Sequence, residues 1–143
     1  MDKQITVFNN FANTTKPIHL NVDKVLLHMR NPTGEHKALI EDIRSESDEK
    51  KRRDLKKKLP CILFSGTFSE RNDKSLIEHS GLAVVDFDHV GDANILKDKL
   101  KLVNYIYSAF VSPSGDGVKA VVRIPKSSEH HRENYELMMK DLM

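Results

Sequence analysis

Two aspartates, Asp86 and Asp88, occupy alternate positions at the end of an apolar run that begins at Leu82. Side chains alternate across a β-strand, so both carboxylates are expected on one face while Phe87 packs on the other. Neighbouring carboxylates repel each other, and a divalent cation such as Mg²⁺ or Mn²⁺ relieves that repulsion and can still bind phosphate oxygens. The pattern favours a metal site of the kind used in phosphoryl transfer. The alternative is a strand end at which both acids face water.

A turn of small residues lies between two later apolar runs and contains Ser114, Gly115 and Gly117. Glycines let the backbone approach a ligand closely, and successive N–H groups in such a turn can bind phosphate. An ordinary hairpin is the alternative, because Asp-Gly is a favoured turn pair. Lys119 and Arg123 follow on the polar face of the next strand, where they would neutralise the phosphates of a nucleotide or simply decorate a solvated edge strand.

Two further cationic features are candidates for binding anions. Arg71 precedes a predicted helix start, and helix N-termini attract phosphate, although a plain surface arginine is the alternative. The run Lys50–Lys58 carries seven cations and one acid. It is either a contact for the nucleic-acid backbone or a solvated helix face.

Composition narrows the class of protein. The 143 residues are 38% hydrophobic, which suits one domain, and the net charge of +2 excludes a basic field over the whole molecule. The single cysteine, Cys61, excludes an internal disulfide and fits a reducing compartment. The chain has no apolar run long enough to span a membrane and does not begin like a signal peptide. We therefore expect a cytoplasmic protein without membrane contacts.

The periodicity of apolar residues predicts an α/β (α+β) domain with a mixed or antiparallel sheet and helices on one face. Strands are predicted at 4–8, 18–20, 61–64, 82–88, 105–111 and 118–124. Helices are predicted at 22–30 after the cap Asn21, at 36–59 with or without a central break, from Asn72 or Asp73 to 80, at 92–102, and from Ser127 or Ser128 to Met143. Because the chain ends inside the last helical pattern, residues 1–143 are expected to be a single domain at the N-terminus of a longer protein.

Three segments together resemble the VirE N-terminal-like domain of the archaeo-eukaryotic primase superfamily, also called primase-polymerases: SGTFSERND, HSGLAVVDFDHV and FVSPSGDGVKAVVRI. The resemblance extends from the first strand to Ile124. It implies a modified RNA-recognition-motif-like core sheet, with Asp86 and Asp88 as metal ligands. It also implies nucleotidyl transfer in the replication of bacterial or mobile-element DNA, with nucleoside triphosphates, a DNA template and a downstream helicase-like module as partners.

The chain departs from that family's pattern in two ways. Lys119, which would act in catalysis, stands where the second motif often has a histidine, and the third acidic motif would lie beyond Met143. The fragment alone is therefore expected to be inactive. A non-catalytic nucleic-acid-binding or initiator module with the same fold is the alternative. A phosphohydrolase of the Asp-x-Asp type is disfavoured, because such enzymes usually place Gly-Thr after the second acid, where this chain has His89 and Val90.

Overall fold

The structure is a computed structural model that describes residues 3–124, in which an α+β fold is built on antiparallel sheets. In chain order the elements are β1 (Gln4–Phe8), β2 (Ile18–Asn21), α1 (Val22–Arg30), α2 (Gly34–Ser45), α3 (Glu49–Lys56), β3 (Cys61–Leu63), β4 (Gly66–Phe68), a 3₁₀ turn (Asp73–Ser75), β5 (Leu76–His79), β6 (Leu82–Phe87), α4 (Ala93–Leu100), β7 (Ile106–Val111) and β8 (Val118–Arg123). This confirms the predicted fold class at that level. The helix predicted from Ser127 or Ser128 to Met143 lies outside the described residues.

Three sheets are present in the described part of the chain, and every strand pair in them is antiparallel. Their strand orders are β2-β1-β3, β4-β5 and β6-β8-β7. The third sheet carries the candidate site. In it β8 lies between β6 and β7, and α4 makes the connection from β6 to β7.

The sheet β6-β8-β7 is covered on both faces, and the expectation of helices on one face is therefore wrong. Ala120 and Val122 of β8 pack with α4 in one buried cluster. Val121, on the opposite face, is fully buried with Leu82 against residues of α1 and β1. The alternation of side chains along β8 is as predicted, but the face that carries Lys119 also carries a buried valine and therefore has a core of its own.

The segment 65–80 also differs from the prediction of a turn followed by a helix. It forms the hairpin of β4 and β5, with only a 3₁₀ turn capped by Asn72 between the strands. The Thr6 hydroxyl donates to the Gly66 carbonyl and accepts from the Phe68 amide, each at 2.9 Å. This contact with β1, 60 residues away, favours strand over the local helical pattern.

The remaining elements agree closely with the periodicity. Each of the six predicted strands is present to within one residue at either end. The long helical pattern is broken into α2 and α3, and Asp48 caps α3 by accepting from the Lys51 amide. No helix within residues 3–124 is long and apolar enough to cross a membrane.

Candidate functional site

The end of β6 and the turn between β7 and β8 meet at one edge of the third sheet. Strand pairing places Phe87 opposite Val118, and the Val90 amide donates to the Asp116 carbonyl at 3.0 Å. Gly117 is required at this junction, because a Cβ there would lie 2.7 Å from the Phe87 carbonyl oxygen. The loop after β6 and the turn before β8 are thus in close backbone contact.

The turn is closed by its own hydrogen bonds. The Gly115 amide donates to the Ser112 carbonyl at 2.9 Å, and the Gly117 amide donates to the Ser112 hydroxyl at 3.2 Å. The Ser114 hydroxyl donates to Asp116 at 2.7 Å. The predicted binding of phosphate by the amides of Gly115 and Gly117 would require these internal bonds to open, whereas the side chains of Ser114 and Asp116 already line a cleft.

Helix α2 holds the outer side of this turn. The Arg44 guanidinium donates to the carbonyls of Ser112 and Pro113, each at 3.3 Å. It also lies 3.6 Å from the position a Cβ would take at Gly115. Sequence reasoning missed this arginine, because its role depends on the packing of a helix some 70 residues earlier in the chain.

His89 and Asp116 form an exposed pair beside the turn, with 3.1 Å between Nδ1 and Oδ2. His89 adopts a left-handed backbone conformation with φ of 53°, which turns the chain sharply after β6. The hydrogen bond from Ser114, together with the nearby His89, holds the pKa of the Asp116 carboxyl below its ordinary value. Asp116 is therefore a carboxylate at neutral pH.

An open cleft of about 310 Å³ separates this edge of the sheet from α3. Its lining consists of four residues of α3 and four of the two loops: Glu49, Arg52, Arg53, Lys56, Asp88, His89, Ser114 and Asp116. The Arg52 guanidinium donates twice to the Glu46 carbonyl, at 2.6 and 3.0 Å, which fixes its position. Part of the basic run Lys50–Lys58 thus faces carboxylates, an arrangement that the sequence left open.

The two predicted metal ligands have different neighbours in the structure. Asp88 lines the cleft, but Asp86 is ion-paired with Lys119 across β6 and β8, with 2.8 Å between Oδ1 and Nζ. Strand β6 ends at Phe87, so strand alternation does not set the direction of Asp88. Within residues 3–124, no group of three or more His, Cys, Asp or Glu side chains is arranged to hold a metal ion.

The two arginines predicted to bind phosphate also lie outside the cleft lining. Arg123 donates to the carbonyls of Asn104 and Ile106 and stacks over the Tyr107 ring. Arg71 donates to the Phe11 carbonyl at 2.7 Å and to Cys61 Sγ at 3.1 Å. Both arginines contact the protein itself, and their proposed contact with phosphate stays a prediction.

Comparison with known families shows which one this chain belongs to. The model of the family described as BT4734-like, N-terminal domain, matches residues 54–143, and the chain is a member of it. The expected membership of the VirE N-terminal-like, primase-polymerase family is therefore wrong. The matched region contains most of the cleft, including Asp88 and Asp116. No curated protein and no solved structure matches the chain.

Proposed function

We propose that this BT4734-like N-terminal domain binds a nucleoside triphosphate and a divalent metal ion in the cleft beside α3, as part of a nucleotidyltransferase that acts in DNA replication. The observation that carries the proposal is that cations and carboxylates line the same cleft. A metal-bound triphosphate presents both signs of charge. Its phosphates suit Arg53 and Lys56, and its metal ion suits the oxygens of Asp88 and Asp116.

Two carboxylates of the cleft support the proposal of Mg²⁺ or Mn²⁺, and the triphosphate and water would supply the remaining ligands. Asp88 and Asp116 supply hard oxygen ligands, and the lowered pKa of Asp116 keeps that carboxyl ionised. A bound ion would supply charge neutralisation at the phosphoryl oxygens. The chain's own residues would orient the triphosphate, since most of the catalysis of phosphoryl transfer is positioning and electrostatic stabilisation.

Asp86 and Lys119 are proposed to join the site when nucleotide binds. Their side chains are 51% and 36% exposed, and a pair of this kind contributes about 0–1 kcal/mol. Separating them therefore costs little. Lys119 would then contact a phosphate, and the Asp86 carboxylate would become available to the metal ion held by Asp88.

The topology of the third sheet supports a proposal about the fold family of this sheet. The sequence of elements β6-α4-β7-β8, with β8 between β6 and β7, matches three strands and one helix of a split β-α-β sheet. RNA-recognition-motif sheets have this arrangement with a fourth strand. We therefore propose an RNA-recognition-motif-like sheet for this part of the chain.

Calorimetric titration with a non-hydrolysable nucleoside triphosphate and Mn²⁺ tests the proposal. Wild type should bind in a metal-dependent way, and Arg53→Ala and Lys56→Ala should each bind about tenfold more weakly, the value of one charged hydrogen bond. Asp88→Asn should remove the dependence on metal. Lys99→Ala removes an exposed lysine on α4 and is the matched control, for which affinity should not change.

Two results would count against the proposal. One is wild-type protein that binds no triphosphate in the presence of Mn²⁺. The other is equal affinity in Asp88→Asn and wild type at every metal concentration. If binding is confirmed, a primer-extension assay tests the transfer of nucleotides by the full-length protein. The Asp88→Asn variant is the control and should be inactive.

A further inference from the structure

A second surface, formed by the loop after β1 and the end of α3, has the chemistry of a base-stacking site. Phe11 is 52% exposed. Two cations lie over its ring: the Arg71 guanidinium is 4.7 Å and the Lys57 ammonium 5.5 Å from the ring centroid. A half-exposed aromatic ring beside cations offers a surface on which a base can stack next to charges that suit its phosphate.

The backbone of Phe11 is held in place by hydrogen bonds on both sides. The Phe11 amide donates to the Lys57 carbonyl at 3.0 Å, and Arg71 donates to the Phe11 carbonyl at 2.7 Å. The Arg71 amide in turn donates to the Thr14 carbonyl at 2.9 Å. The loop is therefore tied at both ends of Phe11, which fixes the backbone that carries the exposed ring.

The ring forms one wall of an open hollow of about 350 Å³. Its lining consists of Asn10, Phe11, Ala12, Lys57 and Lys58, none of which is acidic. The hollow thus combines an aromatic wall with two lysines. This combination suits a planar base joined to a phosphate group.

Helix α3 connects this hollow with the cleft. Lys57 and Lys58 follow the C-terminal end of the helix at the hollow, whereas Lys56, the last residue of the helix, and Arg53, one turn before Lys57, line the cleft. We propose that the Phe11 hollow binds single-stranded nucleic acid. One base stacks on Phe11, its phosphates contact Lys57 and Lys58, and the strand continues along α3 toward the cleft.

The charge and the aromatic ring together select this occupant. Bases in a duplex are stacked on each other and cannot stack on a side chain, so the ring favours a single strand. An acidic peptide would be bound by the lysines but would make no special use of the ring. The hollow and the cleft share no lining residue, so strand binding at the hollow does not require the proposed triphosphate site.

Fluorescence anisotropy with a labelled oligothymidine strand tests the proposal on the full chain. The Phe11→Leu protein keeps an apolar side chain but should bind about tenfold more weakly, whereas Phe11→Tyr should bind within about twofold of wild type. The double variant Lys57→Ala, Lys58→Ala should bind more weakly and show a shallower salt dependence, by roughly 1.4 units of slope for two lost phosphate contacts. The double variant Lys99→Ala, Lys101→Ala removes two exposed lysines at the C-terminal end of α4, outside the lining of the hollow, and should bind as wild type does.

Competition experiments separate the possible occupants. A duplex of the same length and a polyglutamate peptide should compete poorly with the labelled strand. Comparison of a uridine strand with a deoxyuridine strand, which differ only in the sugar, shows which sugar is preferred. Equal binding by Phe11→Leu and wild type, or equal competition by the duplex or the peptide, would overturn the proposal. Asp88→Asn should leave strand binding intact, so the failure of one proposal is distinguishable from the failure of the other.

Discussion

Substitution of Gly117 by alanine tests whether the backbone contact at the edge of the third sheet positions the cleft. A Cβ at this residue would lie 2.7 Å from the Phe87 carbonyl oxygen, 3.2 Å from the Ser112 hydroxyl and 3.6 Å from the Asp88 Cα. The first of these distances is a clash with backbone, so the end of β6 or the turn must move. Overpacking of this kind costs about 1–3 kcal/mol.

The chain offers a matched control in Gly91, which lies in the loop after β6. A Cβ there meets no atom within 4 Å, and its φ lies outside the left-handed region. Gly91→Ala should therefore leave the free energy of unfolding unchanged or raise it slightly. Gly117→Ala should instead lower the melting temperature by roughly 3–10 °C, as followed by circular dichroism.

The same displacement should reach the cleft. Because Asp88 follows Phe87 directly, movement of the Phe87 carbonyl changes the position of Asp88 relative to Asp116. We expect weaker metal-dependent binding of triphosphate in folded Gly117→Ala, measured well below its melting temperature, and unchanged binding in Gly91→Ala. If both variants melt together with wild type, the close approach at Gly117 does not constrain this edge and the reasoning fails.

Two further predictions concern side chains on β7 and β8. Lys119→Ala should bind triphosphate about tenfold more weakly by calorimetry with little change in melting temperature, because its pair with Asp86 is half exposed. Lys119→Arg should recover part of that loss. Arg123→Ala should have a smaller effect, since two backbone carbonyls already hold that guanidinium. Equal affinity in wild type and Lys119→Ala would contradict the proposed contact of Lys119 with phosphate. Burial, followed by the hydrogen bond to Asp23, raises the pKa of Tyr107 to about 12. Because the neutral phenol is favoured in the folded state, its contribution to stability is complete below about pH 10, the ordinary pKa of tyrosine. This contribution is lost as the pH rises through about 12. The difference in tyrosinate absorbance between wild type and Tyr107→Phe should titrate near pH 12, and Asp23→Asn should lower that midpoint. A midpoint unaffected by Asp23→Asn would show that the Asp23 carboxylate does not raise the pKa of Tyr107.

The sequence predicts elements well where local chemistry decides them. Asn21 caps α1 by accepting from the Asp23 amide, and the alternating apolar residues of β6 and β8 form strands at the expected positions. It fails over residues 65–80, where the decisive contact is the Thr6 hydroxyl between two backbone groups of β4. Nothing within that segment encodes a partner on β1, so its local pattern favoured a helix.

The sequence predicts some residues of the candidate site but not which residues lie opposite them in the cleft. Asp88 and Ser114 were identified from their positions at the end of a strand and in a turn of small residues, and both line the cleft. The cations opposite them come from α3, a segment whose charge pattern alone also fits a solvated helix. Whether α3 faces solvent or lines a cleft depends on the position of the turn before β8. Arg44 of α2 holds that turn by donating to two of the turn's backbone carbonyls.

The pair Asp86–Lys119 adds a contact that the sequence did not predict for the acids. Antiparallel pairing of β6 with β8 places these residues directly opposite each other, where side chains of opposite charge attract. The carboxylate repulsion that was expected to require a metal ion is thus already relieved at Asp86 by a lysine. A metal ion must therefore compete with Lys119 for Asp86 but not for Asp88. It follows that Lys119→Ala should strengthen the binding of Mn²⁺ measured without nucleotide, even though it weakens the binding of triphosphate.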